Sequence, residues 1–134
     1  MLTKRELDIL SSDWEKVELI EEQAATLLYD RLFALDPTVR ALFPADMQTQ
    51  KVKLLRMIGA AVYGITQPEV LSPIVEHLGR KHVRFGVQNE HYATVGAALI
   101  WALRRGIGPT FSAEHEAAWT KAYAYLSETM KPPA

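Results

Sequence analysis

Apolar residues in this chain return every three or four positions, and glycines and prolines interrupt that spacing at several points. In the segment that starts at Thr3, the apolar positions are Leu7, Leu10, Trp14 and Val17. This spacing places the four side chains on one face of an α-helix. No segment of the sequence alternates apolar and polar residues as a half-buried strand does, and no Asn-Gly or Asp-Gly hairpin turn occurs. The sequence therefore predicts an all-α fold.

Helix-boundary signals divide the chain into about seven helical segments. Thr3, with Glu6 three residues later, has the pattern of a capping box. Asp36 followed by Pro37 combines an N-cap with a proline suited to the first helical position, so a short helix is predicted to run towards Phe43. Further helices are predicted to begin near residues 46–49, at Ser72-Pro73, at Asn89 and at Ser112, and to end at Gln67-Pro68, by Gly86 and at Gly106–Pro109.

The same spacing predicts which face of each later helix is buried. The predicted apolar stripes are Ala25, Leu28, Leu32 and Leu35; Leu54, Ile58, Ala61 and Ile65; Tyr92, Val95, Leu99 and Leu103; and Trp119, Ala122, Tyr123, Leu126 and Met130. A four-helix bundle with short extra turns is the structural alternative at this point.

Composition limits the class of protein further. The chain has 134 residues, of which 49% are hydrophobic, and a net charge of -1, so one folded domain without a nucleic-acid partner is expected. The absence of cysteine excludes disulfides, a thiol nucleophile and an iron–sulfur cluster. No apolar run approaches the roughly 20 residues of a membrane span, and the charged N-terminus does not resemble a signal peptide. The sequence therefore favours a cytoplasmic protein with no membrane partner.

His82 is the most informative of the four histidines. It extends the apolar stripe of Leu71, Val75 and Leu78, whereas His77 lies about 140° away round the same predicted helix and is expected to face water. A histidine on an apolar face is more often a packed core residue than a ligand. A single neutral imidazole facing an apolar cavity is, however, what five-coordinate haem iron requires.

Several segments, in the right order, resemble the globin family. Residues 28–33 resemble the B helix, and residues 36–43 resemble the C helix and CD corner. Residues 78–82, followed by Gly86-Val87, resemble the F helix that carries the proximal histidine. Residues 91–96 and 118–123 resemble the G and H helices of bacterial single-domain globins, which are kin of the haem domain of flavohaemoglobins. The resemblance covers nearly the whole chain and implies a single globin domain over residues 1–134, with a frayed tail at 131–134.

The resemblance implies a haem b (iron protoporphyrin IX) cofactor and a role for particular residues. His82 would bind the iron from the proximal side, and Phe43 would stack on the haem. Tyr29, Gln50 and Leu54 would form the distal ligand pocket. The remaining contacts with the cofactor would come from Lys53, near a propionate, and from Leu78, Val87, Tyr92 and Val95, along the proximal side and the haem edge.

Two functions from different classes follow from this resemblance. The first is reversible oxygen binding at ferrous haem, for storage, transport or scavenging. The second is an enzyme, a nitric oxide dioxygenase, which would need an external electron donor because the 134 residues contain no flavin or nicotinamide module. A signalling role and a helical interaction protein without haem are further alternatives, and the sequence leaves the oligomeric state open.

Overall fold

The structure, a computed structural model, describes residues 2–43, 47–65, 73, 75–76 and 89–130. The helices are α1 (Lys4–Glu18), α2 (Glu21–Leu35), a 3-10 helix (Pro37–Leu42), α3 (Gln48–Gly64), α4 (Asn89–Ile107) and α5 (Ala113–Met130). Within these residues there is no strand, so the predicted all-α class is confirmed. None of the helices described is long and apolar enough to cross a membrane. Most of the helix predicted between Ser72 and Gly86 lies outside the described residues.

The predicted helix boundaries are local features, and the structure confirms those that fall within the described residues. The predicted ends at Gln67-Pro68 and Gly86 and the predicted start at Ser72 lie outside these residues. At the start of α1 the Thr3 hydroxyl accepts a hydrogen bond from the backbone N–H of Glu6 at 3.1 Å, and the Glu6 carboxylate accepts one from the Thr3 N–H at 2.7 Å. Asp36 caps the 3-10 helix by accepting from the Thr38 N–H at 3.1 Å. Gly108 ends α4 with a φ of 85°, a conformation that favours glycine. Each signal acts within a few residues, and for that reason the sequence reveals it.

Helix α2 lies at the centre of the packing, against α4, α3 and the 3-10 helix, while α1 packs mainly against α5. The predicted stripe of α2 is buried at its first three positions, but its fourth, Leu35, is 42% exposed. Leu35 is the last residue of the helix, where the chain turns away at Asp36. The prediction for Leu35 is therefore wrong because the apolar spacing continues to the end of the helix, beyond the residues that pack.

Helix α3 is rotated relative to its predicted apolar face. Ile65 is buried as predicted, but Ile58 and Ala61 are only half-buried. The buried side of α3 consists of Leu55, Gly59 and Val62. Gly59 causes the difference, because a Cβ at this position would lie directly against the indole Nε1 of Trp14 on α1. A glycine is not counted when the spacing of apolar residues is used to predict a buried face, so the predicted buried face of α3 was wrong.

Replacing Gly59 by valine is expected to lower the free energy of unfolding by about 1–3 kcal/mol, the cost of overpacking a filled core. The added carbons have no room beside Trp14 unless the two helices move apart. Urea unfolding followed by circular dichroism measures the change. Ala60→Val is the matched control, since Ala60 is exposed on the same helix; equal losses in the two variants would contradict close packing at Gly59.

Candidate functional site

The Tyr29 side chain is the most unusual polar group in the described core. Tyr29 lies near the middle of α2 and is 1% exposed. Its buried hydroxyl has no hydrogen-bond partner in the described part of the chain, although most buried polar groups have one. Burial raises the pKa of the phenol to about 12, and a polar contact with the Gln50 side chain, outside the distance and angle limits of a hydrogen bond, opposes the rise. The hydroxyl is therefore protonated at neutral pH and can donate a hydrogen bond to a ligand.

Two phenylalanine rings enclose Tyr29. Its ring centroid lies 5.7 Å from that of Phe33 and 5.3 Å from that of Phe43, with an 85° angle between the Tyr29 and Phe43 planes. The half-buried Phe43 follows the 3-10 helix directly, and Arg40 on that helix donates a hydrogen bond to the Phe43 carbonyl at 3.4 Å. The short helix capped by Asp36 thus positions Phe43, and the three rings form an apolar wall whose one hydroxyl has no hydrogen-bond partner in the described ranges.

Helix α3 supplies the second side of this site. Gln50, in its first turn, is half-buried and close enough to Tyr29 to affect the phenol pKa. Tyr29 and Gln50 are far apart in the sequence and lie on different helices, but the fold brings them close together. Lys53 is exposed. Leu54 follows Gln50 by one turn of α3, but its side chain lies outside what the structure describes.

The remaining predicted site residues divide into two groups. Tyr92 is buried in α4, and its backbone carbonyl accepts a hydrogen bond from the Tyr123 hydroxyl at 2.6 Å. Val95 lies one turn later on the same helix and is half-buried. Burial is the main cause of a raised pKa for the Tyr123 phenol, so it remains a donor to Tyr92. The predicted residues His82, Leu78 and Val87 lie outside the described residues.

A buried cluster centred on Asp13 was missed by the sequence analysis. The Asp13 side chain is completely inaccessible to solvent, and its two carboxylate oxygens lie 2.9 and 2.8 Å from Nδ1 of His115. The indole Nε1 of Trp119 donates to the same carboxylate at 2.9 Å. The available signal was the position of Asp13, which falls on the buried face of α1 beside Trp14. The cluster joins α1 to α5, and we assign it a structural role.

Comparisons with other proteins agree with this arrangement. The Globin family model matches residues 26–130. The chain is 31% identical to a flavohemoprotein of Vibrio cholerae over 131 residues, which is 96% of this chain and 33% of that protein. It is 35% identical over 105 residues to a flavohemoprotein of Bordetella parapertussis, which is 76% of this chain and 26% of that protein. The chain thus spans about a third or less of these relatives.

Solved structures give the same fold. A bacterial globin from Campylobacter jejuni superposes with a TM-score of 0.81 at 26% identity and covers 94% of this chain and 91% of its own. An engineered carbene transferase, named as a candidate nitric oxide dioxygenase from Rhodothermus marinus, has a TM-score of 0.85 at 24% identity and covers 98% of this chain and 92% of its own. The family match over residues 26–130 and these shared folds show that the chain belongs to the globin family.

Proposed function

We propose that this chain binds haem b through His82 and, by means of the haem, binds oxygen reversibly. Globins and flavohemoproteins are haem proteins, and the chain is related to both. Haem supplies the iron at which oxygen binds. The observation that carries the proposal is the buried Tyr29 hydroxyl, which has no hydrogen-bond partner among the residues that the structure describes and lies at a wall of aromatic rings. Such a group is suited to a ligand that accepts a hydrogen bond.

The residues around Tyr29 fit a flat, apolar cofactor with one polar ligand. The half-buried Phe43 ring offers a surface for stacking, and the 3-10 helix fixes its position. Lys53 is exposed, as a partner of a propionate at the solvent edge would be. We assign the proximal side and haem edge to Leu78, Val87, Tyr92 and Val95, and the roof of the distal side to Leu54.

Tyr29 and Gln50 would hold the bound ligand by hydrogen bonds. A phenol that ionises only near pH 12 donates throughout the physiological range, and the Gln50 amide is a second donor. Hydrogen bonds to groups that carry charge contribute about 1.5–3 kcal/mol. This corresponds to about ten- to a hundred-fold in affinity, so we expect slow oxygen release.

Nitric oxide dioxygenase activity, with electrons from a separate reductase, is the second candidate. One structural neighbour of this chain carries that name, and a pocket with a Tyr29 donor would serve this reaction as well as reversible binding. Sustained conversion of nitric oxide to nitrate, measured with a reductase and its electron donor, would favour the enzyme. Stable oxygenated protein that does not turn over under these conditions would favour the carrier.

Visible absorption spectroscopy of haem-reconstituted protein tests the proposal. The protein is reduced without air and then exposed to oxygen. We expect a Soret band at one haem per chain, a five-coordinate reduced spectrum and conversion to a slowly decaying oxygenated form. A titration without stoichiometric haem binding would overturn the proposal. A six-coordinate reduced spectrum would contradict an open distal site.

Replacing Tyr29 by phenylalanine is expected to speed oxygen dissociation by about ten- to a hundred-fold, because the variant loses one hydrogen-bond donor. Stopped-flow displacement of oxygen by carbon monoxide measures the rate. Tyr125→Phe is the control, since it removes a hydroxyl from α5, which packs against α1 and α4. An unchanged rate in Tyr29→Phe would remove the assigned role from this hydroxyl while leaving haem binding intact.

A further inference from the structure

A cleft between α2, α4 and α5 has the size of a small-molecule site. Its volume is about 600 Å³, within the range of roughly 300–1,000 Å³ typical of ligand pockets. The small residues Ala93, Gly96, Ala97 and Ala124 line its centre, while Leu35, Ile100 and Trp101 add larger apolar surfaces. Leu35 is 42% exposed there although it is apolar. The cleft therefore presents a concave apolar surface to solvent.

The charge of the cleft is positive, although the chain as a whole has a net charge of -1. Arg31 and Arg104 are among the residues that line it, and none of those residues is acidic. Arg104 pairs with Glu116 on α5. Arg31 has no acidic partner in the described part of the chain. A third arginine, Arg105, does not line the cleft but adds positive charge beside it. Its guanidinium lies 4.8 Å from the Trp101 ring centroid.

The Arg31 side chain is held in place, but one of its N–H donors has no acceptor among the described residues. Its guanidinium carbon lies 5.1 Å from the Trp101 ring centroid, a cation–π contact that fixes the group against the cleft wall. The Arg31 Nε is buried and has no hydrogen-bond partner among the described residues. A buried donor without an acceptor is unfavourable, and a bound anion would satisfy it. The planar guanidinium matches the two oxygens of a carboxylate better than it matches a single acceptor.

We propose that this cleft binds an organic monocarboxylate with an apolar body, whose carboxylate pairs with Arg31 and whose apolar part covers Trp101 and the small residues of α4. Tyr92, assigned above to the haem edge, also lines the cleft, so the two sites adjoin at this residue. Arg31 itself faces away from the distal side of the proposed haem pocket. Tyr29 and Arg31 are two positions apart on α2, which places their side chains about 200° apart round the helix. Occupation of one site therefore does not require the other.

Isothermal titration of haem-loaded protein with dodecanoate tests the proposal, because a filled haem pocket leaves the cleft as the remaining site. We expect saturable binding of one dodecanoate per chain. Arg31→Met should weaken binding by at least about tenfold. Ala97→Phe should abolish it, because Ala97 is exposed in the cleft and the new ring fills the space. Methyl dodecanoate is uncharged, so its affinity for the unmodified chain should be no higher than the affinity of dodecanoate for Arg31→Met.

Arg5→Met is the matched control, since Arg5 is an exposed arginine paired with Glu114 on another surface, and its dodecanoate affinity should equal that of the unmodified chain. Circular dichroism establishes that each variant is folded. No saturable binding, or binding that both cleft variants leave unchanged, would overturn the proposal. Sedimentation that reveals a dimer which Ala97→Phe dissociates would also overturn it and assign the cleft to contact between two copies of the chain.

Discussion

Asp13→Ala is expected to lower the free energy of unfolding by about 3–5 kcal/mol, the cost of removing one partner from a buried acid–base pair. The truncation leaves the buried Trp119 Nε1 and the partly buried His115 Nδ1 without their acceptor. It also leaves a small cavity between α1 and α5. Because whole domains are stable by only about 5–15 kcal/mol, a loss of this size should be evident in urea unfolding followed by circular dichroism.

Two further variants test whether the loss of stability in Asp13→Ala comes from the carboxylate itself. Asp13→Asn keeps the volume and one oxygen acceptor, so it should remain folded and lose less stability than Asp13→Ala. Glu114→Ala removes a carboxylate next to His115 in sequence, but this carboxylate is exposed and pairs with Arg5, so the variant should be far more stable than Asp13→Ala. Equal stability of Asp13→Ala and Glu114→Ala would mean that the buried contacts contribute nothing measurable.

His82→Gly is expected to eliminate the five-coordinate reduced spectrum proposed for the haem-loaded protein. Glycine supplies no ligand atom and leaves space for a small molecule. Added imidazole should therefore restore the spectrum by occupying the position of the missing side chain. Absorption spectra of reduced variant with and without imidazole measure both effects. Rescue by imidazole distinguishes loss of a ligand from loss of fold.

His77→Gly is the matched control for this substitution, because His77 belongs to the same predicted helix but is expected to face water. Its reduced spectrum should equal that of the unmodified protein. If His82→Gly retained the original spectrum without imidazole, the proximal assignment would be wrong. If His77→Gly lost it instead, the helix would be rotated relative to its apolar stripe.

The fold was predictable wherever the signal was local. The Thr3–Glu6 capping box and the Asp36 cap act within three residues, and both are present. The contact face of α3 was not predictable, because Gly59 packs against Trp14 by having no side chain. The Asp13 cluster was hidden for another reason: its partners are 102 and 106 residues away in sequence. No spacing rule within one helix reports a contact at that distance.

The candidate site was also only partly predictable from the sequence. Apolar spacing alone identified the stripe that contains His82, but only family resemblance gave Tyr29 and Gln50 a shared role. The structure brings these two near each other, since the Gln50 side chain opposes the rise that burial causes in the pKa of the Tyr29 phenol. That the Tyr29 hydroxyl has no partner within the described part of the chain is a three-dimensional fact, because a sequence does not reveal which hydroxyl folding leaves unpaired.

The long sequence separation within the Asp13 cluster has a consequence for the order of events during synthesis. Helix α1 is translated well before α5, yet the groups that hydrogen-bond its buried carboxylate belong to residues 115 and 119. Domains fold as units while the ribosome adds residues one after another. The Asp13 carboxylate therefore lacks these two partners until α5 has been translated. A nascent chain halted before residue 115 would hold a buried-type carboxylate without His115 and Trp119, so α1 should be docked less firmly and more open to proteases than in the full chain.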